Sequence, residues 1–591
     1  MGRRGDGRRG RRGARALLAG GLVVGLLLSG CAAIPTSGAI TQVSIDPADA
    51  APLNIQPRPP GPGASPADVL DGFLAAISST YPGRFDVARE YLTDAAARDW
   101  DPGAGASIYD STGLPPLTTD RSAVVRAPLV GELDAAGHFT AVSEPAWQHD
   151  FGMVRVDGQW RISDPGKGLL LPLYLYRSYY RAVSVYYLSL DRHRVVAESV
   201  HLNEADADAT GTIRALLLGP SAWLSPVVAT AIPAGTTLAA PIVTVDKVTE
   251  VSLTEPIKGL SDDERGQLAA QVLWSLSHFL GMGTVRITVK GATYPVGQNL
   301  DGVMGFPLVT SYQPFTEPTT RDGFLLRATM LTRLDPASAG PSVPVTGRLG
   351  RAGGEALAGL AVSADATVVA GVTGDGTQLL ETSLSSADAP AVLTTGEGLV
   401  RPQIDAAGRV WEFAHAADVP VLLRCDEKAC LPVSVTALAG KQVLAFRISP
   451  DQTKIAVIVQ DGARTELGLF RLHTTQLVVD GWRVLSVSTS RGAMAAYKDV
   501  AWVNDTDLMI LAQGSGDSYF STFVVPADGS GVTGCGPSND IAPVALVALP
   551  QREAGLAAML ETGDGRAYRL EDQSRWTLVA ASGVTGLAYA G

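Results

Sequence analysis

The feature that most constrains the fold is a turn signature that recurs through the second half of the chain. Each copy follows the end of an apolar strand, and the four copies are Val362-Ser363-Ala364-Asp365, Ile404-Asp405-Ala406-Ala407, Ile448-Ser449-Pro450-Asp451 and Trp502-Val503-Asn504-Asp505. They lie about 42, 44 and 54 residues apart, close to the length of a four-stranded β-propeller blade. We therefore predict an all-β propeller over residues 320–591 with about six blades, although five or seven also fit. The alternative is a β-sandwich, which would not require a repeated turn.

The N-terminus has the form of a signal peptide over residues 1–30. Seven Arg precede residue 16, and the next thirteen residues, Ala16 to Leu28, are apolar or Gly. This stretch is shorter than the ~20 residues of a transmembrane helix. It ends in Leu28-Ser29-Gly30-Cys31, which resembles the bacterial lipobox, in which the Cys is acylated and becomes the new N-terminus. We therefore expect Cys31 to be lipidated, with an ordinary signal peptide and an incidental Cys as the alternative.

The predicted acylation also determines where the protein works. Acyl chains hold a protein on a membrane without spanning it, since each buried CH₂ contributes ~0.8 kcal/mol. We expect a lipid-anchored protein on the extracytoplasmic face of the cell membrane, with the bilayer contacted through Cys31. Paired Arg before the apolar segment leave twin-arginine export open beside the general route.

The net charge excludes nucleic acid as a partner. Acidic residues outnumber basic ones by 59 to 47, a net charge of −12. Removal of residues 1–30 leaves 58 acidic and 40 basic side chains, a net charge of −18. Binding to DNA or RNA depends on clustered cationic contacts to phosphates. A surface this acidic lacks the necessary positive charge.

The region between the signal peptide and the propeller contains a spacer followed by mixed secondary structure. Residues 31–63 are Pro-rich and predict an extended tether. Residues 64–178 begin with apolar residues at helical spacing and continue with alternating strands, including a hairpin turn at Asp157-Gly158. We predict an α+β domain with an antiparallel sheet behind two helices.

Residues 182–297 predict a second α+β domain. Ser261 and Glu264 form a capping box at the start of a helix. One face of that helix carries Leu268, Val272, Leu276 and Phe279 at intervals of three to four residues. The predicted fold class is therefore a multidomain protein, two α+β domains followed by an all-β propeller.

Two of the four Cys lie close together in the predicted propeller. Cys425 and Cys430 are separated by four residues and flanked on both sides by apolar stretches, a spacing that suits a hairpin loop linked across its base. In an exported protein such a pair predicts a disulfide. Zinc is the alternative, but it needs further ligands, and His415 alone lies nearby. Cys535 has no partner close in sequence and is interpreted as a buried thiol.

The sequence lacks the local signatures of known catalytic sites. It contains no G-x-S-x-G elbow, H-E-x-x-H helix or P-loop. Its seven His are scattered, with no pair at i and i+4. We therefore predict a protein that is not an enzyme, with no catalytic, cofactor-binding or metal-binding residues and no cofactor. A site that converges from several propeller blades stays open, because sequence spacing does not reveal it.

The order of these parts resembles the LpqB lipoproteins of actinobacteria, which combine a lipobox, an N-terminal α+β module, a GerMN module and a C-terminal propeller. Cys31 is followed by Ala-Ala-Ile-Pro, as the resemblance requires. The most specific segments resemble the helix, turn, helix and strand of GerMN domains, and they are residues 215–220, 232–236, 272–276 and 285–287. The resemblance covers essentially the whole chain, but it assigns a role only to Cys31.

The resemblance implies a partner outside the membrane. It implies that the protein accompanies the MtrAB two-component system and acts on the MtrB sensor kinase to influence cell-wall homeostasis and division. We therefore expect a non-enzymatic regulator that binds the extracytoplasmic domain of an MtrB-like sensor histidine kinase through residues 182–591. The alternatives are an envelope glycan-binding protein or hydrolase with its site in the propeller, and a purely structural envelope scaffold.

Overall fold

The computed structural model describes residue 2 and residues 56–591, except positions 82, 111–116, 120, 145, 282, 298–300, 337–340, 417–418, 427, 490–491, 537, 539, 553–554 and 572–573. Residues 52–591 form one compact unit. The predicted signal peptide, Cys31 and the tether as far as residue 55 lie outside the described residues. Within the described part of the chain, no helix is both long and apolar enough to cross a membrane.

The N-terminal module, residues 64–178, contains short helices and strands around one core. Its described helices are α1 (Pro66–Ser78), α2 (Arg84–Arg89), α3 (Asp94–Asp99) and α4 (Leu173–Tyr179). Its described strands are β1 (Ala106–Tyr109), β2 (Leu117–Thr118), β3 (Ala123–Arg126), β4 (Leu129–Leu133), β5 (Phe139–Glu144), β6 (Gln148–Asp150), β7 (Met153–Val156), β8 (Gln159–Ile162) and β9 (Leu169–Pro172).

Helix α1 begins at a capping box and buries one face. The Ser65 hydroxyl accepts a hydrogen bond from the backbone N–H of Asp68, whose carboxylate accepts one from the N–H of Ser65. Val69, Phe73 and Ile77, at helical spacing, are buried in the module core. The local sequence therefore sets both the start of the helix and the side that packs.

The sheets of this module differ in one respect from the antiparallel arrangement we expected. The four-stranded sheet has the order β5-β4-β1-β9, and β1 pairs antiparallel with β4 but parallel with β9. Two parallel strands are connected by a long crossover. No short turn in the sequence therefore indicates that β1 and β9 pair. The hairpin β7–β8 forms as predicted around Asp157 and Gly158, whose positive φ values of 49° and 80° are typical of a two-residue turn.

The middle module, for which we predicted residues 182–297, contains two sheets and a long helix. Its described helices are α5 (Ala209–Leu218), α6 (Asp262–Ser275) and α7 (Ser277–Leu280). Its described strands are β10 (Tyr180–Ser189), β11 (Val195–Asn203), β12 (Val228–Ala229), β13 (Val243–Val245), β14 (Val248–Leu253), β15 (Thr284–Val289), β16 (Ala292–Thr293) and β17 (Val303–Met304). The sheet orders are β11-β10-β12 and β13-β14-β15-β16, and β17 also pairs with β15.

Buried Gln271 joins α6 to the rest of the middle module. Its side-chain N–H donates to the carbonyl of Tyr186 on β10 at 3.1 Å, and its oxygen accepts from the backbone N–H of Ala231 at 2.8 Å. The Ser275 hydroxyl accepts from the N–H of Tyr186 at 2.9 Å. A buried amide with both ends satisfied stabilises this packing, because an unpaired one would incur a desolvation penalty.

The predicted capping box at Ser261 and Glu264 is present. Of the four residues predicted to form the buried face of this helix, Phe279 is the one that is not buried. The helix ends at Ser275, and a separate turn of helix, α7, follows Leu276. This break changes the helical phase, so Leu276 is buried whereas Phe279 is exposed. The helical spacing predicts that Phe279 lies in the core, but in the structure its side chain is exposed.

The strands of the propeller form six sheets among the described residues, which we number as blades in chain order. Blade 1 contains β18 (Gly323–Arg327), β19 (Met330–Leu334), β20 (Val343–Pro344) and β42 (Val584–Tyr589). Blade 2 contains β21 (Leu357–Val362), β22 (Val368–Thr373), β23 (Gln378–Ser383) and β24 (Ala391–Thr395). Blade 3 contains β25 (Gln403–Ile404), β26 (Val410–Ala416), β27 (Val419–Cys425) and β28 (Cys430–Ser434).

The remaining blades have the same meander order. Blade 4 contains β29 (Gln442–Ile448), β30 (Lys454–Asp461), β31 (Arg464–His473) and β32 (Val478–Val484). Blade 5 contains β33 (Ser488–Thr489), β34 (Gly492–Trp502), β35 (Asp507–Gly514), β36 (Ser521–Pro526) and β37 (Thr533–Gly534). Blade 6 contains β38 (Pro543–Leu549), β39 (Ala557–Thr562), β40 (Ala567–Glu571) and β41 (Arg575–Ala580). The predicted fold class is confirmed.

The last strand of the chain closes the ring. Strand β42 pairs antiparallel with β18, with Gly323 opposite Tyr589 and Leu325 opposite Leu587. Blade 1 thus combines a strand from the end of the propeller with three from its beginning. The beginning and the end of the propeller sequence are thus joined by hydrogen bonds within one sheet.

The recurring turn signature connects the first strand to the second in blades 2, 3 and 4, and it connects β34 to β35 in blade 5. In blade 4 the Ser449 hydroxyl donates to Asp451 at 2.5 Å, and the same carboxylate oxygen accepts from the N–H of Thr453 at 3.0 Å. Gln452 between them has a φ of 60°, a conformation that the surrounding hydrogen bonds stabilise. In blade 2 the same bonds join Ser363, Asp365 and Thr367. The signature is readable in the sequence because its hydrogen bonds are local.

The two neighbouring cysteines occupy the end of a hairpin in blade 3. Cys425 on β27 is the direct cross-strand neighbour of Cys430 on β28, and the structure joins them in a disulfide. Cys535 is buried among apolar residues of blades 5 and 6. Burial raises the pKa of its thiol to about 11, which keeps the sulfur protonated at neutral pH.

Candidate functional sites

A small pocket lies at the propeller axis, at the ends of the innermost strands. Its volume is about 90 Å³, and Phe315, Arg401, Gln403, Trp502 and Tyr589 are among the residues that line it. These residues come from several blades and from the segment that leads into the propeller. The pocket is therefore the place where a convergent site would form.

Arg401 and Asp499, two charged residues next to this pocket, are paired with each other. One terminal nitrogen of Arg401 donates to both carboxylate oxygens of Asp499, at 2.9 and 3.0 Å, and to the carbonyl of Leu546 at 3.0 Å. Asp499 also accepts from the backbone N–H of Leu546 at 2.7 Å. Burial raises the pKa of nearby Glu561, an effect that the Arg401 guanidinium partly offsets. Arg401 and Asp499 therefore bind the inner strands of blades 5 and 6 to the segment before blade 3.

Gln403 and Asp405, which also line this pocket, have structural partners. The Gln403 side chain donates to the carbonyl of Ile448 at 3.1 Å and accepts from its N–H at 2.6 Å, which connects the short strand β25 to blade 4. Asp405 accepts from Arg409 and from the indole N–H of Trp411, both at 2.8 Å. These contacts hold neighbouring blades and turns together.

A separate polar network lies where the three modules meet, and we call it the module junction. Its centre is His201 on β11 of the middle module. The Nδ1 atom of His201 lies 2.9 Å from the hydroxyl of Tyr176 in the N-terminal module, and its Nε2 atom lies 2.7 Å from the carboxylate of Asp528 in the propeller. The backbone N–H of His201 donates to the carbonyl of Gly137 at 2.7 Å. One residue of the middle module therefore contacts both neighbours.

The buried Asp528 carboxylate stays ionised at this position. Burial by itself would raise its pKa, but the charge and hydrogen bond of His201 and the bonds from Ser530 outweigh burial and lower it. The Ser530 backbone N–H donates to Asp528 at 2.8 Å. A buried carboxylate with this many donors is a structural ion whose partners must all be in place.

A second histidine connects the N-terminal and middle modules. His138 Nδ1 lies 2.8 Å from Asp134 of its own module, and Nε2 lies 3.3 Å from Glu198 of the middle module. Burial opposes protonation, but the hydrogen bonds and charges of the two carboxylates outweigh it and raise the pKa of His138 to about 9. His138 is therefore a cation between two anions at neutral pH.

An indole–guanidinium stack joins the middle module to blade 4. The Arg483 guanidinium carbon lies 3.9 Å from the centre of a Trp223 ring, within the range of a cation–π contact. The Trp223 indole N–H donates to the carbonyl of Gly481 at 2.8 Å, and Arg471 donates to the carbonyl of Trp223 at 2.9 Å. These two bonds fix Trp223, and Arg483 in turn donates to the carbonyl of Ala527 at 3.0 Å.

Two cavities flank the junction. One of about 310 Å³ is lined by residues of all three modules, including His138, Glu198, Trp223 and Asp528. The other, of about 720 Å³, lies between the middle module and the propeller. Asp505, in the turn that follows the first long strand of blade 5, lines both cavities.

The buried Asp505 carboxyl differs from its neighbours at the junction. Burial raises its pKa to about 7, and the negative charge of Asp451 adds to this effect. Apart from its own backbone N–H, no hydrogen-bond donor among the described residues reaches this carboxyl. Asp505 is therefore available to a group that enters either cavity.

The sequence did not point to these junction residues. His138 and His201 were among seven scattered His with no spacing that marks a site, and their partners lie as many as 327 positions away. Cys31 lies outside the described residues, whereas Cys425 and Cys430 lie in blade 3, far along the chain from the junction. In the part of the chain that the structure describes, no three His, Cys, Asp or Glu residues are grouped to hold a metal ion.

Comparison with known families covers nearly the whole chain. Residues 59–175 match the family described as lipoprotein LpqB, N-terminal domain, and residues 331–586 match the lipoprotein LpqB beta-propeller domain. Residues 184–295 match the family described as sporulation and spore germination. The three matches correspond to the N-terminal module, the propeller and the middle module.

Individual relatives extend over the same length. The lipoprotein LpqB of Cutibacterium acnes is 30% identical over 97% of this chain and 98% of its own. The lipoprotein LpqB of Streptomyces avermitilis is 26% identical over the full length of both chains. A crystal structure of TolB from Acinetobacter baumannii covers 46% of this chain and 66% of its own, with 14% identity and a TM-score of 0.30, which is too low to carry an argument. From the full-length match and the three domain matches, the chain belongs to the LpqB lipoprotein family.

Proposed function

We propose that this chain is a membrane-anchored, non-enzymatic accessory protein that binds the extracytoplasmic domain of an MtrB-like sensor histidine kinase. Through that kinase it influences cell-wall homeostasis and cell division. The observation that carries the proposal is the module junction, which connects the N-terminal and middle modules to the propeller through buried contacts. Such a body presents a fixed binding surface built of loops and strand edges on a rigid scaffold.

The chemistry at the propeller axis supports binding over catalysis. A general acid or base must be free to exchange a proton with a substrate. At the axis, Asp405 and Asp499 each accept several hydrogen bonds from side chains and backbone of their own or neighbouring blades. A hydrolase with its site there would have to break contacts that hold the blades together.

We place the kinase-binding surface within residues 182–591, on strand β13. This strand lies at the edge of its sheet, and Val243 and Val245 are 56% and 64% exposed. An exposed apolar edge is a template for strand addition or for a partner's apolar patch. The N-terminal module offers a matched comparison in Val154 and Val156 on β7, which are 44% and 39% exposed.

The location is tested by capture of a purified kinase extracytoplasmic domain on the detergent-solubilised lipoprotein. The variant V243D/V245D should lose capture, because two charges on the strand disfavour an apolar contact. The matched variant V154D/V156D should retain it. Both pairs are exposed, so each substitution should change stability by only ~0.5 kcal/mol. Loss of capture in the V154D/V156D variant alone, or unchanged capture in both, would contradict the location.

The anchor is tested separately through Cys31→Ser. Without the thiol that is acylated, the protein should leave the membrane fraction or remain with an uncleaved signal peptide. The measurement is membrane fractionation together with the mass of the N-terminal peptide. A variant that fractionates and migrates like the parent protein would show that Cys31 is not the anchor.

A further inference from the structure

The larger cavity at the junction has the properties of a ligand site. We call it the Trp274 groove, and it is lined by residues of the middle module and the propeller, among them Arg181, Tyr186, Trp274, Phe279, Asp505 and Arg552. Its volume of about 720 Å³ lies within the range of small-molecule sites, roughly 300–1,000 Å³. Phe279 and Arg181 at its rim are exposed, so the groove opens to solvent.

Aromatic rings form one side of the groove. Trp274 packs against Tyr186 at 5.8 Å and against Phe306 at 5.1 Å between ring centres. Phe279 is brought to the rim by the break between α6 and α7, which removes it from the apolar core. The middle module therefore presents the rings of Tyr186, Trp274 and Phe279 to the groove instead of packing them fully in its core.

Two polar groups in the groove have no hydrogen-bond partner on another described residue. The indole N–H of Trp274 is buried and has no hydrogen-bond partner among the described residues. The Asp505 residue is only 8% exposed, and apart from its own backbone N–H no described donor reaches its carboxyl. An unsatisfied buried polar group costs about 1–3 kcal/mol. The groove thus offers one donor and one acceptor to whatever fills it.

The charges around the groove are balanced. Arg552 pairs with Glu317 at 3.0 Å, and Arg181 pairs with Glu204 at 3.7 Å. Because burial raises the pKa of Asp505 to about 7, this carboxyl carries less than a full charge at neutral pH. A strongly charged ligand would find no excess of opposite charge here. The groove instead suits a neutral ligand with apolar faces and many hydroxyl or amide groups.

We propose that the Trp274 groove binds an uncharged oligosaccharide that carries N-acetyl groups. An acetamido carbonyl accepts a hydrogen bond from the Trp274 indole N–H, and a sugar hydroxyl donates to Asp505. The apolar C–H faces of the sugar rings pack against the exposed aromatic surface. This proposal is independent of kinase binding, because the groove and strand β13 are lined by different residues.

The test is calorimetric titration of the detergent-solubilised full chain with chitotetraose, a β-1,4-linked oligomer of N-acetylglucosamine. Saturable binding is expected. Trp274→Phe keeps an aromatic ring but removes the N–H, and should weaken binding about 5-fold. Trp160→Phe, in the N-terminal module and outside the groove, is the matched control and should bind like the parent.

A second variant keeps the test decisive if Trp274→Phe disturbs the fold. Ala207 lines the groove, and Ala207→Trp should narrow it and weaken binding. Thermal melting of each variant verifies that it is folded. Absence of saturable binding by the parent chain, or unchanged binding by Ala207→Trp, overturns the proposal. Binding of a free cell-wall stem peptide in place of chitotetraose would overturn the chemical class assigned to the ligand.

Discussion

Asp451 in blade 4 finds its charged partner Lys454 three residues away, at 2.6 Å, whereas Asp528 at the module junction finds His201 at a separation of 327 residues. Both carboxylates are buried, and their partners lower the pKa of each against the opposing effect of burial. The blade therefore neutralises its own charge within one turn. The junction is satisfied only when separate modules are assembled.

The comparison indicates that the two regions should fail in different ways. A lost contact in a blade turn should destabilise that blade and the ring around it. A lost contact at the junction should leave the blades intact and release one module from another. The predictions below test this difference, from the largest expected effect to the smallest.

The closure of the propeller also depends on residues far apart in the chain, because β42 pairs with β18. Truncation after Gly583 removes β42 and with it the buried side chains of Leu587 and Tyr589. Loss of several fully buried side chains, at roughly 1.5–3 kcal/mol each, should exceed the stability of the ring. We expect loss of the cooperative melting transition, measured by calorimetry. A substitution on the exposed outer strand, Val343→Asp, is the control and should melt like the parent.

At the junction, Asp528→Ala leaves His201 without its partner in the propeller and should destabilise the assembled protein by about 4 kcal/mol. The distinguishing result is separate melting of the modules together with faster proteolysis between them. Asp451→Ala leaves the buried Lys454 of blade 4 without its carboxylate partner. This variant should instead lower the melting temperature of a single common transition. Asp206→Ala, at the half-exposed pair with Arg84, should cost less than 1 kcal/mol. A single unchanged transition in Asp528→Ala would contradict the comparison.

The junction should also respond to pH. The pKa of His138 is raised to about 9 in the folded protein and is about 6.5 in an unfolded chain. Its contribution is therefore fully present below pH ~6.5 and is lost as pH rises through about 9, up to about 3 kcal/mol. Chemical denaturation at several pH values should show this decline. His138→Gln should flatten the curve in this window.

Asp505 provides an internal comparison for the pH experiment. Its folded pKa of about 7 lies above its unfolded value, so stability falls as pH rises from about 4 to 7. Asp505→Asn should remove that slope and leave the His138 window unchanged. If both substitutions altered the same window, the assignment of the two slopes would be wrong.

The smallest effect is expected for the disulfide in blade 3. A six-residue loop closed by Cys425 and Cys430 removes only about 2 kcal/mol of unfolded-chain entropy. The variant C425A/C430A should therefore melt slightly lower, still in one transition, because the clamp is local to one hairpin. Mass spectrometry of unreduced peptides tests the bond itself, and two free thiols would rule it out.

The features that could be predicted share a short range along the chain. The blade turn at Ser449 and Asp451, the capping box at Ser261 and Glu264 and the hairpin at Asp157 are each formed by residues within about four positions. Their hydrogen bonds require particular residue types at fixed spacing, so the sequence displays them. The parallel pairing of β1 with β9 has no such mark and escaped prediction.

The candidate sites could not be predicted from the sequence, because their residues are far apart along the chain. Phe279 has the spacing of a core residue, and only the break after Leu276 turns it to the rim of the Trp274 groove. The residues next to His201 in the chain do not indicate that Tyr176 and Asp528 are its partners. Periodicity shows that a residue is buried, but not which residue it contacts.

By itself, the sequence determined the local elements of this protein: its turns, helix caps, repeated blades, cysteine hairpin and the lipobox predicted at Cys31. Only the tertiary structure decided how the three modules lock together, which charges are neutralised and where two unpartnered polar groups share a cavity. The physical reason is the separation along the chain of the residues that interact. Hydrogen bonds within a turn are fixed by neighbouring residues, whereas the junction unites side chains hundreds of positions apart, and their meeting depends on how every intervening strand packs.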